Sequence, residues 1–161
     1  MILDVPEDKD PIMWVWGELV PHIGVAASKF SAAVYAHNTL GLEEFEAARL
    51  RVAQINGCLF CQDWRTERDG VKVPDGFENE VAAWSTTEVF DSRTRLAAEY
   101  AERFTLDPHG LDDEFWERML GSYSQAEVVE LSMCLGSWIA FGRLNHVLGI
   151  DTICTLPSHQ G

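Results

Sequence analysis

The stretch from Ser124 to Gly149, carrying VVELSMCLGSWIAFGRLNHVLG at 128–149, restricts the fold more than any other part of the chain. Ser124 and Glu127 stand at capping-box spacing, which starts a helix there, and the residues after Glu127 are apolar on most helical faces. Such a helix must be covered by others, either at the centre of a bundle or in a contact between subunits. Gly136, Ala140 and Gly142 are small enough to let other helices come close. Its longest uncharged run, 131–142, falls far short of the roughly 20 apolar residues a membrane span requires.

Apolar residues recur with the 3.6-residue period elsewhere too, and no stretch alternates with period two between hairpin turns, so the chain reads as all-α. The predicted helices are Met13 to Val20, stopped by Pro21; Val25 to Asn38, ended by Gly41; Leu42 to Asn56; and Cys58 to about Arg68. The turn-rich DGVKVPDG comes next, then helices from Phe77 to Trp84, from an Asp91–Ser92 cap through Phe104, and from Asp112 through Leu120. The 161 residues form one expected domain, 1–161, with 1–11 and 155–161 as terminal arms.

With 47% hydrophobic residues, including six Trp and eight Phe, the chain can fill a core without disulfide staples. Its formal charge of -14 argues against nucleic acid and against anionic membrane surfaces, both of which select clustered Lys and Arg. MILDVPEDKDPIMW has no basic segment followed by an apolar one, so a reducing cytoplasm is the expected compartment. There, a close pair of cysteines suggests catalysis or metal binding rather than a structural bridge.

That pair is Cys58-Leu-Phe-Cys61, which exchanges between dithiol and disulfide with little backbone movement. Asn56-Gly57 breaks the preceding helix, placing Cys58 at the start of a new one, where the helix dipole favours a thiolate. Glu46, on the helix that folds back toward the pair, is a candidate to take or relay a proton. Arg65, four residues beyond Cys61 on the predicted helix, is a candidate to hold a thiolate. Zinc would require two further ligands, and the histidines at 22, 37, 109, 146 and 159 show no paired spacing. Cys134 reads as packing, and nothing in the sequence around Cys154 activates it. Trp14, Trp16, Trp84, Trp116 and Trp138 read as core, some of them lining an apolar pocket over the thiols.

Glu46, eleven intervening residues and Cys58-x-x-Cys61, set in EAARLRVAQINGCLFCQDWR, resemble the alkylhydroperoxidase D (AhpD)/carboxymuconolactone decarboxylase superfamily. DSRTRLAAEYAERFTLDP and the final helix resemble the family's later helices, so the likeness covers about 40–151. It implies an AhpD-like all-helical bundle assembled as a homotrimer or homohexamer. It also implies an antioxidant thiol peroxidase that reduces organic hydroperoxides or a partner disulfide, and is itself reduced by a dithiol or a peroxiredoxin. By this resemblance Cys61 becomes the sulfenic acid, Cys58 is the proton donor and resolving thiol, and Glu46 is the relay carboxylate. No metal or organic cofactor is implied. The branch has histidines where this chain has Phe60 and Arg65, so that part of its proton relay is not encoded here.

Two other readings stand beside this one. A decarboxylase-like lyase acting on a small carboxylated ring would use His146 as acid or base and Arg49, Arg51 or Arg65 to bind the carboxylate. A non-catalytic protein would use the thiol pair as a redox-sensitive switch for binding.

Overall fold

The longer helices form where local signals start and stop them. In the computed structural model, which describes residues 3–150, α1 spans Pro21–Ala36, α2 Leu42–Asn56 and α3 Leu59–Asp63; then come α4 at Phe77–Ala82, α5 at Ser92–Leu106, α6 at Asp113–Ser122 and α7 at Gln125–Leu148. A π-helical segment, Met13–Leu19, precedes α1, and a 3-10 turn, Pro108–Gly110, joins α5 to α6. Asp91, Asp112 and Ser124 each accept the backbone N–H three residues on, capping α5, α6 and α7. The only strand-like pairing among the described residues is an isolated bridge between Arg68 and Val71, so the fold is all-α. No helix among the described residues is long and apolar enough to cross a membrane.

The most fully enclosed helix is α2, so of the two settings expected for α7, a bundle centre or a contact between subunits, the first is taken by another helix. Phe45 through Leu50, Val52 and Ala53 are all buried, so α2 is covered on nearly every side. Small residues make this possible: Ala47 and Ala48 of α2 and Ala97, Ala98 and Ala101 of α5 are fully buried where the two helices pack together. In contrast, α7 buries one stripe, including Leu131, Cys134, Leu135 and Trp138, and leaves Val129, Met133, Leu144 and Val147 exposed. Of its small residues, Gly142 does face another helix, with the Asn56 side chain where a Cβ would stand, but Gly136 has nothing nearby.

Two further boundaries differ from expectation. Pro21 starts α1 rather than merely stopping the segment before it, because a proline in the first turn has no N–H to lose and a φ already suited to a helix. The helix containing the cysteines ends at Asp63, not near Arg68, and Trp64 is extended (φ -74°, ψ 144°). Two carbonyls at this end, Cys61 O and Trp64 O, accept hydrogen bonds from Arg49 of α2 at 2.6 and 2.7 Å. Arg68 then pins the returning loop to the α1–α2 connection through Leu40 O and Asn38 Oδ1, and lies over the Phe45 ring.

Candidate redox site

Gly57 makes the turn that creates the site. It adopts a left-handed conformation (φ 69°) at the end of α2, which lets the chain reverse directly into Cys58. Cys58 is the N-cap residue of α3, and Cys61 lies in the first turn. The two are joined as a disulfide with their Cα atoms 5.3 Å apart. The Cys61 N–H points to Cys58 Sγ at 3.3 Å, so a helix N-terminal donor faces the first sulfur. Cys58 is 7% exposed, whereas Cys61 is half-buried and the more accessible of the pair.

Beneath the pair is a buried ion pair. Arg49 Nε and Nη2 donate to the two oxygens of Glu46 at 2.6 and 2.9 Å, a bidentate arrangement with both side chains almost wholly out of water. The same guanidinium reaches Cys61 O and Trp64 O and lies 5.1 Å from the centre of the Trp64 ring. The Thr66 hydroxyl donates a third hydrogen bond to Glu46, at 2.5 Å. Glu46 is thus brought beside α3, connected to Cys61 through Arg49 and the peptide backbone.

Arg65 does not occupy the position expected of it. Because α3 ends at Asp63, Arg65 is not on a helical face with Cys61; its guanidinium binds Glu78 at 2.6 Å and the carbonyls of Gln62 and Trp64. None of these hydrogen bonds goes to sulfur. His146 is exposed near the end of α7, beside Asn145, which does line a cavity at the thiol pair. Cys134 is buried, and burial pushes its thiol up to about 12, which suits packing. Cys154 and the 155–161 arm lie outside the described residues. No cluster of three or more metal-ligating side chains forms among the described residues.

The disulfide opens onto this cavity, whose volume is about 170 Å³. Its apolar walls come from Ile12, Val52, Ala53, Phe60 and Phe141, and its polar groups from Tyr35, Asn56, Ser137, Trp138 and Asn145. Burial raises the Tyr35 hydroxyl above the usual tyrosine range, the nearby Arg49 charge opposing the shift. Cys61, together with Tyr35, Arg49 and Phe60, also borders a second hollow completed by Trp64, Thr66 and Glu67. Cys61, the more exposed residue of the pair, therefore borders both hollows.

No family model matches the chain. Two curated proteins resemble it: YdfG of Bacillus subtilis, an uncharacterized protein, is 27% identical over 107 residues, spanning 65% of this chain and 72% of YdfG. YnjA of Escherichia coli, also uncharacterized, is 28% identical over 156 residues, 93% of this chain and 84% of YnjA. Among solved structures, a protein of unknown function from Agrobacterium tumefaciens, assigned provisionally to antioxidant defence as an AhpD, superposes with a TM-score of 0.72. The overlay covers 85% of this chain and 93% of that one. The fold is AhpD-like. At 20% identity this likeness is one of architecture, so the chemistry of the site has to be argued from its own residues.

Two of those residues, Arg49 and Ser137, take places at the site that the sequence did not assign to them. Arg49 had a usable signal, an i,i+3 partner in Glu46 on a helix otherwise rich in Ala and Leu, but its reach to α3 is a tertiary fact. Ser137 sits within the apolar run of α7, where nothing in the sequence separates a pocket residue from a core one, whereas Trp138 is among the tryptophans expected as core or at a pocket over the thiols and does line the cavity.

Proposed function

We propose that the chain is a thiol-dependent peroxidase that reduces organic hydroperoxides, or a partner disulfide, through Cys58 and Cys61. The observation that carries this reading is the placement of the closed Cys58–Cys61 pair on the wall of an apolar-lined cavity. The Cys61 thiolate attacks the hydroperoxide; the O–O bond breaks, sulfur is oxidised to the sulfenic acid, and the alkoxide leaves as alcohol after taking a proton. Cys58 then attacks that sulfur, forming the disulfide and releasing water, and an external dithiol or a reduced peroxiredoxin returns both thiols.

The half-exposure of Cys61 favours it as the attacking sulfur, and the N–H facing Cys58 Sγ favours Cys58 as a ready resolving thiolate. In this reading the Glu46–Arg49 pair is structural support, fixing the Cys61 carbonyl and so the sulfur's position; Glu46 acts on the proton only indirectly. Arg65 contributes by holding the end of α3 against Glu78.

The lyase alternative needs an arginine free to take a carboxylate. Arg49, Arg51 and Arg65 are already paired with Glu46, Glu102 and Glu78. The test is hydroperoxide consumption with a small dithiol as reductant. Cys61→Ser abolishes turnover, and Cys58→Ser retains one slow oxidation that leaves a sulfenic acid trappable by a cyclic 1,3-dione. If Cys61→Ser were as active as wild type, the reading would be lost.

A further inference from the structure

The hydroperoxide chemistry proposed above leaves one proton without a source. An alkoxide is a poor leaving group, so it must take a proton as the O–O bond breaks. Cys58, with the Cys61 N–H directed at its sulfur, is read as a thiolate and has none to give. Phe60 and Arg65 stand where the resembling branch has histidines, and neither replaces them. A phenyl ring has no such proton, and the Arg65 guanidinium is bound to Glu78, Gln62 O and Trp64 O.

Four residues wall both the cavity and the second hollow: Tyr35, Arg49, Phe60 and Cys61 itself. Arg49 does not deprotonate, and its guanidinium is committed to Glu46, Cys61 O and Trp64 O. That leaves the Tyr35 phenol as the one group common to both openings, besides the thiol, with a proton to transfer. The wider walls do not compete. The Thr66 hydroxyl is given to Glu46, Glu67 is ion-paired with Lys72, and the amides of Asn56 and Asn145 do not release protons.

Tyr35 comes from α1, outside both the thiol motif and the 40–151 stretch that carries the family likeness. Its half-buried ring is held edge-on by Phe45 and Trp64, with centroids 5.6 and 5.3 Å away, and by Trp138 at 6.4 Å. Trp138 walls the cavity and Trp64 the second hollow, so the phenol stands where the two adjoin. The Trp138 indole N–H lies against the Tyr35 hydroxyl. An indole only donates, so that contact engages the phenol oxygen's lone pairs and leaves its proton to give. Burial keeps the hydroxyl protonated until it is needed, while the nearby Arg49 charge favours the phenolate that donation creates.

We infer that Tyr35 is a catalytic residue whose hydroxyl gives its proton to the departing oxygen of the hydroperoxide as the Cys61 thiolate attacks the terminal one. This rests on the peroxidase reading. The S–O bond forms as the O–O bond breaks, and the sulfur passes two electrons to the peroxide. The products are the Cys61 sulfenic acid, the alcohol and the Tyr35 phenolate, which takes a proton back from solvent. The Cys58 thiolate then displaces hydroxide, which leaves as water after taking a solvent proton, and the disulfide closes.

The test compares two oxidants that carry the same ring but differ in their need for a proton. Cumene hydroperoxide must release an alkoxide, whereas peroxybenzoic acid releases a carboxylate that is stable without one. Fully reduced wild type and Tyr35→Phe are mixed with each, and thiol oxidation is followed by rapid acid quench and intact mass. Tyr35→Phe is expected to slow oxidation by cumene hydroperoxide about 100-fold and oxidation by peroxybenzoic acid by less than about twofold. The unchanged peroxy-acid rate also shows that the variant keeps its thiol site. Equal rates for the two proteins with cumene hydroperoxide, or the same slowing with both oxidants, overturns the inference, since a merely structural role would not distinguish the leaving groups. Wild-type thiols inert to cumene hydroperoxide would instead overturn the peroxidase reading, before any variant is compared, and this inference with it.

Discussion

Arg49 holds the site together from beneath, with one guanidinium serving the Glu46 carboxylate, Cys61 O and Trp64 O. Both members of the ion pair are almost fully buried, so removing one leaves the other as an uncompensated charge. Arg49→Ala is expected to cost about 3–5 kcal/mol in urea unfolding. Arg49→Lys should recover only part of this, since an ammonium cannot reproduce the planar fork. A loss below about 1 kcal/mol in Arg49→Ala would show that the pair does not behave as a buried charge pair. Arg65, by comparison, is ion-paired at a partly exposed position, so Arg65→Ala should change stability by less than about 1 kcal/mol.

Among the elements, α7 gives the clearest response to pH. Its N-terminus is closed by a reciprocal box in which Glu127 accepts the Ser124 N–H at 2.7 Å while Ser124 Oγ accepts the Glu127 N–H. The Ser124 N–H, and then the Arg93 guanidinium at 2.8 Å, lower the Glu127 carboxyl to about 2. Since the folded-state value lies below the unfolded one, the unfolded chain binds the proton more readily. The contribution is complete above the ordinary carboxylate range near pH 4–5 and is lost as pH falls toward 2. Glu127→Gln should therefore flatten part of the decline in thermal stability between pH 5 and 2; an unchanged profile would contradict this. Such a cap is legible in the sequence because it lies within four residues, and so is the end of α2 at Gly57. The early end of α3 is not legible, because it coincides with contacts from Arg49 and its neighbours twelve and more residues away. The choice of α2 over α7 as the central helix results from alanines on two helices meeting, which the pattern of either one alone does not state.

At the scale of the whole molecule, large apolar side chains stay exposed on several adjoining elements among the described residues. Met13, Ile23 and Val147, on three adjoining elements, are 68%, 72% and 70% exposed, with Val25, Met133 and Leu144 also in solvent. Uncovered apolar surface of this kind marks contact sites more often than bare exterior. We expect self-association, with light scattering giving a mass that is a multiple of 18.1 kDa. Because each copy carries a formal charge of -14, added salt should strengthen that association by screening repulsion. A salt-independent monomer would contradict this.

The central claim, that Cys58 and Cys61 are peroxide-reactive thiols, is tested most directly by one stoichiometric reaction. Fully reduced protein is mixed with about one equivalent of cumene hydroperoxide, and its cysteines are mapped by peptide mass spectrometry beside Cys61→Ser. The account predicts rapid formation of a Cys58–Cys61 disulfide in the wild type and none in the variant. Survival of both thiols in the wild type would contradict it, and would turn attention to the pair as a redox-sensitive binding element.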